Sequence, residues 1–355
     1  MTPKPTAVRK QAGGLLLAAL AFCLTGCSPQ PPGVAELSGR TMGTTYSIKV
    51  TPPPDDASAQ RLRHRVERRL AEINLLMSTY RDDSVLSRFN AHRGTNWVAV
   101  PAELVSLVRQ ARTISERTAG AYDVTVGPLV NLWGFGRNGR RDSPPGDDEI
   151  EALLASTGYD RLETRHQPPA MRKTAAGLEV DLSSIAKGWG VDELADLLER
   201  EGIRDYLVEI GGELRAGGTR PGGQPWRIAV EKPTAGQRSV QLIVSLSDVA
   251  MATSGDYRNF FEQAGQRYSH TIDPRSGQSV RHQLASVTVF APTCAEADGW
   301  ATALMALGDK QAPAVADQHS IKALFIIRDD EGLREISSRA MRDAPVFSGP
   351  ATNAH

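Results

Sequence analysis

Ser269-His270-Thr271-Ile272-Asp273-Pro274-Arg275-Ser276-Gly277 is the stretch around which the rest of the chain reads as organised. The run before it, Phe260 to Tyr268, alternates in character and reads as a strand that turns back on itself. Asp273 to Gly277 carries a turn signal, because proline fixes φ and glycine permits positive φ. A turn needs none of the chemistry that precedes it. Here a histidine, hydroxyls, a carboxylate and a guanidinium crowd into one corner, which is read either as a solvated turn or as one wall of a site.

Toward the C-terminus, Leu284 to Phe290 reads as a strand. Thr293 then resembles an N-cap with Glu296 at the capping-box position, starting a helix through Leu307. On that helix Asp298 and Thr302 are four residues apart and share a face. They read as two hard oxygen ligands suited to Mg²⁺, or as an exposed carboxylate beside a core-facing threonine.

Toward the N-terminus, Trp226 to Lys232 and Ser239 to Ser247 read as strands paired around Pro233-Thr234-Ala235-Gly236, and Tyr206 to Ala216 as a buried strand broken by Gly211-Gly212. Leu178 to Asp192 is the second dense stretch: a short strand delivering Asp181, then Ser183-Ser184 opening a helix that runs to about Glu201. Lys187 sits near that helix N-terminus, where the macrodipole disfavours a cation and a bound anion would relieve the conflict. Ala121-Tyr122-Asp123, read at a helix-to-strand junction, suits either a backbone cradle for a ligand or a tight packed turn. Before it lie two amphipathic helices, Ser58 to Met77 and Pro101 to Thr118. Tyr80, past the first of them, is either a core-edge residue or a stacking platform. Met42-Gly43-Thr44 reads as a bend or bulge ahead of a strand ending at Val50.

Composition narrows the classes. The 355 residues are 40% hydrophobic and 23% charged, with 41 basic and 41 acidic side chains. Zero formal charge and 6% aromatics without a regular array give no electrostatic footprint or stacking platform for nucleic acid. Lys4, Arg9 and Lys10 precede an apolar run, Gly13 to Leu24, too short for the ~20 residues a spanning helix needs, so it reads as a secretory signal. Leu24-Thr25-Gly26-Cys27 resembles a bacterial lipobox, which makes Cys27 the lipidated first residue of the mature protein. The expected organisation is a signal peptide over residues 1–26, a lipidated proline-rich tether over 27–36, one catalytic unit over 37–345 and a tail over 346–355. Cys294 is then the remaining cysteine, which excludes an intramolecular disulfide in the mature chain. The expected location is the periplasmic side of a bacterial membrane.

Taken in order, Met42-Gly43-Thr44, Ala121-Tyr122-Asp123, Asp181-Leu182-Ser183-Ser184-Ile185-Ala186-Lys187-Gly188, Ile210-Gly211-Gly212, Thr253-Ser254-Gly255-Asp256-Tyr257, His270 to Gly277 and Ala295-Glu296-Ala297-Asp298 resemble the ApbE family of FAD:protein FMN transferases. The resemblance implies an α+β, T-fold-like unit of antiparallel sheets flanked by helices. It implies an FAD site lined by Met42, Tyr80, Ala121, Tyr122, Asp123, Asp181, Lys187 and Ile272, with Tyr80 near the flavin ring. Mg²⁺ would be held by Ser184, through its backbone carbonyl, with Asp298 and Thr302. His270 is the candidate base, Asp273 a possible substitute, and Lys187 a fixed positive charge at the phosphates. The implied reaction moves FMN from FAD onto a Thr or Ser hydroxyl of a target redox subunit, releasing AMP. The alternatives are an FAD pyrophosphatase, in which water replaces that hydroxyl, and a non-catalytic flavin-binding lipoprotein.

Overall fold

The computed structural model describes residues 33–137, 139–141, 143–233, 240–257, 259–263, 265–343 and 346. Cys27, the signal and most of the tether therefore lie outside the described residues, as do the turn expected near Thr234 and nearly all of the tail.

The first hairpin sets the sheet. Ala35–Thr41 (β1) and Thr44–Thr51 (β2) pair antiparallel, closing with Thr41 opposite Thr44. Met42 and Gly43 both have positive φ, 47° and 72°, so the expected bend or bulge is a two-residue turn of the mirror-image type that matches strand twist. Ala35 and Glu36, expected in the tether, are the first residues of β1.

A small region follows. Asp56–Met77 (α1) is capped by Asp55, whose carboxylate accepts from Ser58 N at 2.9 Å. Ser84 caps Val85–Ala91 (α2) through Ser87 N. Val98–Ala99 (β3), Ala102–Arg117 (α3), Gly127–Leu132 (α4), Asp147–Leu154 (α5), Leu162–Arg165 (β4) and Ala170–Lys173 (β5) complete it, with the strands in order β3-β5-β4. Ala121–Asp123 therefore leads through a turn into a helix; the expected strand is absent there.

Leu178 to Leu182 is likewise extended chain outside any sheet. Its backbone is held by Asn90, which donates to Val180 O and accepts from Val180 N, both at 2.8 Å, and by Asp181 N donating to Val124 O at 2.7 Å. It delivers Ser183-Ser184 into Ala186–Arg200 (α6). Asp205–Ile210 (β6) and Glu213–Gly217 (β7) form a hairpin over Gly211-Gly212, so the expected broken strand is two strands. Trp226–Glu231 (β8) and Val240–Leu246 (β9) pair with each other, as do Phe260–Gln263 (β11) and Gln266–Ser269 (β12).

Val249–Gly255 (β10), Leu284–Ala291 (β13), Lys322–Asp329 (β14) and Gly332–Ser337 (β15) complete an eight-stranded sheet in the order β1-β2-β6-β7-β10-β13-β14-β15. Every pairing in it is antiparallel. Cys294–Gln318 (α7) packs on this sheet against β10 and β13. The helix that starts after Thr293 ends at Leu307 as expected, because Gly308, at φ 74° and ψ 178°, is not helical, and a second helical stretch follows it to Gln318. Arg339–Asp343 (α8) closes the chain. No helix among the described residues is long and apolar enough to cross a membrane.

Two helices cross at the centre. The Gly188 Cα faces the start of α7 so closely that a methyl there would lie 2.3 Å from Cys294 O, so only glycine fits this crossing. Asp192, one turn along α6, caps the start of α7: its carboxylate oxygens accept from Cys294 N and Ala295 N, each at 2.8 Å. Thr293 adds its own cap on Glu296 N at 3.3 Å. These contacts fix the rotation of α7 and therefore where Asp298 and Thr302 project.

Candidate active site

A cavity of 790 Å³ opens between α6, α7, the β6–β7 hairpin, β8 and the 269–277 corner. It gathers Ala121, Tyr122 and Asp123 from one side, Asp181, Ser184 and Lys187 from a second, His270 and Ile272 from a third, and Asp298 and Thr302 from α7. Segments scattered over more than 180 positions of sequence thus converge on one space.

Its floor is charged and buried. Lys187 Nζ lies 2.5 Å from Glu213 Oε1, and Glu213 is only 3% exposed. Burial works against the Lys187 charge, but Asp298 and Glu213 outweigh it and hold the ammonium above its ordinary range. The conflict between Lys187 and its helix N-terminus is thus relieved by two carboxylates of the chain itself. Asp298, 5% exposed, is pushed up by burial to about 7, with Lys187 acting in the opposite direction. Its Oδ2 accepts from Gly188 N at 3.0 Å.

That bond has a consequence for Ser184. By helical periodicity Gly188 N would return to Ser184 O; turned toward Asp298, it leaves the Ser184 carbonyl out of the helix ladder. A backbone carbonyl, a carboxylate and the Thr302 hydroxyl then border the same space, a donor set that fits a hard cation such as Mg²⁺. Glu213 Oε2, buried without a hydrogen-bond partner, adds negative potential beside them. Ser184 Oγ donates to Tyr122 Oη at 3.0 Å, and burial drives the Tyr122 phenol far above its ordinary range, so it stays protonated.

His270 is oriented by its backbone neighbour. Its Nδ1 lies 3.0 Å from Asn259 O, and a carbonyl can only accept, so the proton is on Nδ1 and Nε2 carries the lone pair. Burial lowers its pKa below 6.5, with the Asn259 bond and Asp256 pulling the other way and Lys187 reinforcing the fall. It is a neutral base at neutral pH.

Three expected residues stand apart. Asp273 is not on the cavity: both its oxygens are taken by the Arg275 guanidinium, at 2.9 and 2.8 Å, and its backbone closes the turn to Gln278 and Gly277. It shapes the corner and is no substitute base. Tyr80 is 69% exposed and borders neither cavity, although its neighbours Thr79 and Asp82 line a second space of 480 Å³ that shares Asp181 with the first. Met42 sits in the β1–β2 turn with its side chain against Gly190 of α6. Asp123 lines the cavity, yet its carboxylate accepts from Thr125 N, Thr125 Oγ1 and Tyr159 N, all at 2.7 Å, and burial raises its pKa. It is a turn-fixing residue whose backbone forms the cradle.

Glu213 is the participant that the sequence reading did not single out. Its signal was available: a carboxylate directly after Gly211-Gly212, in a stretch read as a buried strand, is costly to bury unless paired.

The ApbE family model matches residues 42–325, spanning every segment that reaches the cavity. The chain belongs to the ApbE family. A Vibrio cholerae protein named FAD:protein FMN transferase is 48% identical over 328 residues, covering 92% of this chain and 97% of that one. A Haemophilus influenzae protein of the same name is 41% identical over 343 residues, covering 94% and 98%. Among solved structures, the flavin transferase ApbE from Vibrio cholerae superposes with a TM-score of 0.82 at 47% identity, covering 88% of this chain and 99% of that chain. The α+β fold expected for this ApbE chain is the fold those relatives share.

Proposed function

We propose that the chain is an FAD:protein FMN transferase that moves the FMN half of FAD onto a Thr or Ser hydroxyl of a target protein. The observation that carries this is the single cavity where a cradle at Ala121–Asp123, the Lys187 cation and the neutral His270 base converge. Lys187 supplies fixed positive potential for the diphosphate, in a site where burial keeps charge effects strong. The acceptor oxygen bonds to the FMN phosphorus, the bond from that phosphorus to the bridging oxygen breaks, and AMP leaves with the bridging oxygen. The acceptor proton goes to His270 Nε2, whose orientation is held by the Nδ1 bond to Asn259.

Ser184 O, Asp298 and Thr302 would hold Mg²⁺, which when bound supplies Lewis-acid stabilisation of phosphoryl charge. A bound cation would also return the Asp298 carboxyl from about 7 toward its ionised range. Cys27 is the lipid attachment site that keeps the enzyme at the periplasmic face of a bacterial membrane, near its membrane-bound redox targets; the lipobox-like Leu24-Thr25-Gly26-Cys27 supports this. Incubating the full chain with FAD, Mg²⁺ and a Thr-containing flavin-acceptor domain tests the reading by intact mass and in-gel flavin fluorescence. The acceptor gains FMN and AMP appears. Free FMN with an unmodified acceptor would replace the transferase by a pyrophosphatase, and intact bound FAD would leave a flavin carrier.

A further inference from the structure

The cavity has a wall outside the residues assigned above to FAD and the metal. Arg227, Ile228, Ala229, Val230 and Glu231 line it as five consecutive residues of β8. Side chains alternate between the two faces of a strand, so a strand meeting a cavity with one face contributes every second residue. A consecutive run means that β8 meets the cavity with its edge. The alternation itself is intact: Trp226 and Val230 are buried against Leu207, Leu242 and Leu246, while Arg227 and Ala229 are exposed.

On its other edge β8 pairs with β9, from Trp226 opposite Leu246 to Glu231 opposite Val240, and among the described residues these two strands form a separate two-stranded sheet. The cavity-facing edge of β8 therefore presents backbone donors and acceptors that no strand of the described residues covers. Such an edge is a template for another strand unless it is bulged or blocked. Here it is the side of the same space whose floor holds Lys187 and Asp298.

The geometry points to this edge as the docking site of the acceptor protein: a segment bearing the target Thr or Ser binds extended, hydrogen-bonded along β8 as an added strand, its hydroxyl carried toward His270. The inference rests on the transferase reading above. That reaction requires a polypeptide to enter the space that holds FAD. A backbone ladder recognises a polypeptide and not a nucleotide, and it tolerates different targets because it reads main chain. Arg227 on β8 and Lys49 line the same space and offer positive charge for selecting among them.

The test uses the full chain, FAD, Mg²⁺ and a flavin-free acceptor domain carrying the target Thr. Successive N–H groups of a strand point to opposite edges, so of Ile228→Pro and Ala229→Pro one removes a cavity-facing donor and leaves the β9 ladder intact. That variant, identified by an unchanged melting temperature, raises the acceptor KM by roughly tenfold while its FAD affinity stays within about twofold of the parent. Hydrogen exchange on the parent gives the same answer without a substitution: the cavity-facing amides among 227–231 gain protection when the acceptor binds. Labelling of the acceptor with no added protection at 227–231, or with an unchanged acceptor KM in a folded variant, overturns the inference. Weakened FAD binding with an unchanged acceptor KM would assign the wall to FAD and also overturn it. A parent that labels no acceptor at all would instead remove the transferase reading on which the inference stands.

Discussion

The floor and the β8 wall of the cavity are built on opposite plans. At the floor, Glu213 and Asp298 are buried, Lys187 is half-buried, and the three are tied to one another or to the backbone, with Gly188 closing the helix crossing beneath them. At the wall, exposed Arg227 and Ala229 flank a strand edge open to the cavity. Buried charges are costly unless each is compensated, so the floor tolerates little change and fixes one reaction. An open edge costs little and accommodates a variable partner. The contrast separates chemistry from partner choice.

The strongest challenge to this contrast is Asp298→Ala. Several kcal/mol of charge stabilisation convert at ~1.4 kcal/mol per tenfold, so AMP release falls by about a thousandfold, and chelation of the parent produces a similar fall. Activity surviving both would take the metal out of the floor. His270→Ala is next, slowing transfer from about a hundredfold upward while FAD affinity measured by fluorescence titration changes little. The pH profile sharpens this. Because burial lowers the His270 pKa, the base is unprotonated down to below pH 6.5, and the acidic limb of kcat/KM falls below that value. A limb centred above 6.5 would assign the base elsewhere.

Glu213→Gln keeps the shape but removes the countercharge of Lys187. It lowers stability by about 1–3 kcal/mol in denaturant unfolding, less than a fully buried pair would lose because Lys187 is partly open to the cavity. The smallest effect belongs to Tyr80→Ala. A ring 69% exposed contributes stacking of about 0.5–1.5 kcal/mol at most, so FAD affinity weakens less than about tenfold. A larger loss would extend the site into the second cavity beside Thr79 and Asp82.

The elements with local signals were legible in the sequence. The capped α7, the amphipathic α1 and α3 and the β8–β9 pair all have periodicity or cap residues that report on themselves. Leu178 to Leu182 read as a strand because its apolar alternation is real, but its backbone partners are Asn90 and Val124, far away in sequence. In the sequence the turn at Met42-Gly43 and the hairpin at Gly211-Gly212 read as a bend and a break, because glycine signals a conformation and not a topology.

Residue type and spacing put Asp298, Thr302 and Lys187 among the candidates, and the fold brings all three to one cavity. The site was illegible where a partner decides the role. The resemblance makes Asp273 a possible substitute base, but Arg275 takes both its oxygens, and Glu213 is defined by Lys187, placed beside it by the fold.

The central claim is that the acceptor hydroxyl attacks the FMN phosphorus directly. Running the transfer in ¹⁸O-labelled water and weighing both products tests it. Direct attack leaves both the FMN-bearing acceptor and the released AMP free of label. Label in the transferred FMN would show that water cleaves FAD first, and label in AMP would show attack at the other phosphorus; either result contradicts the account.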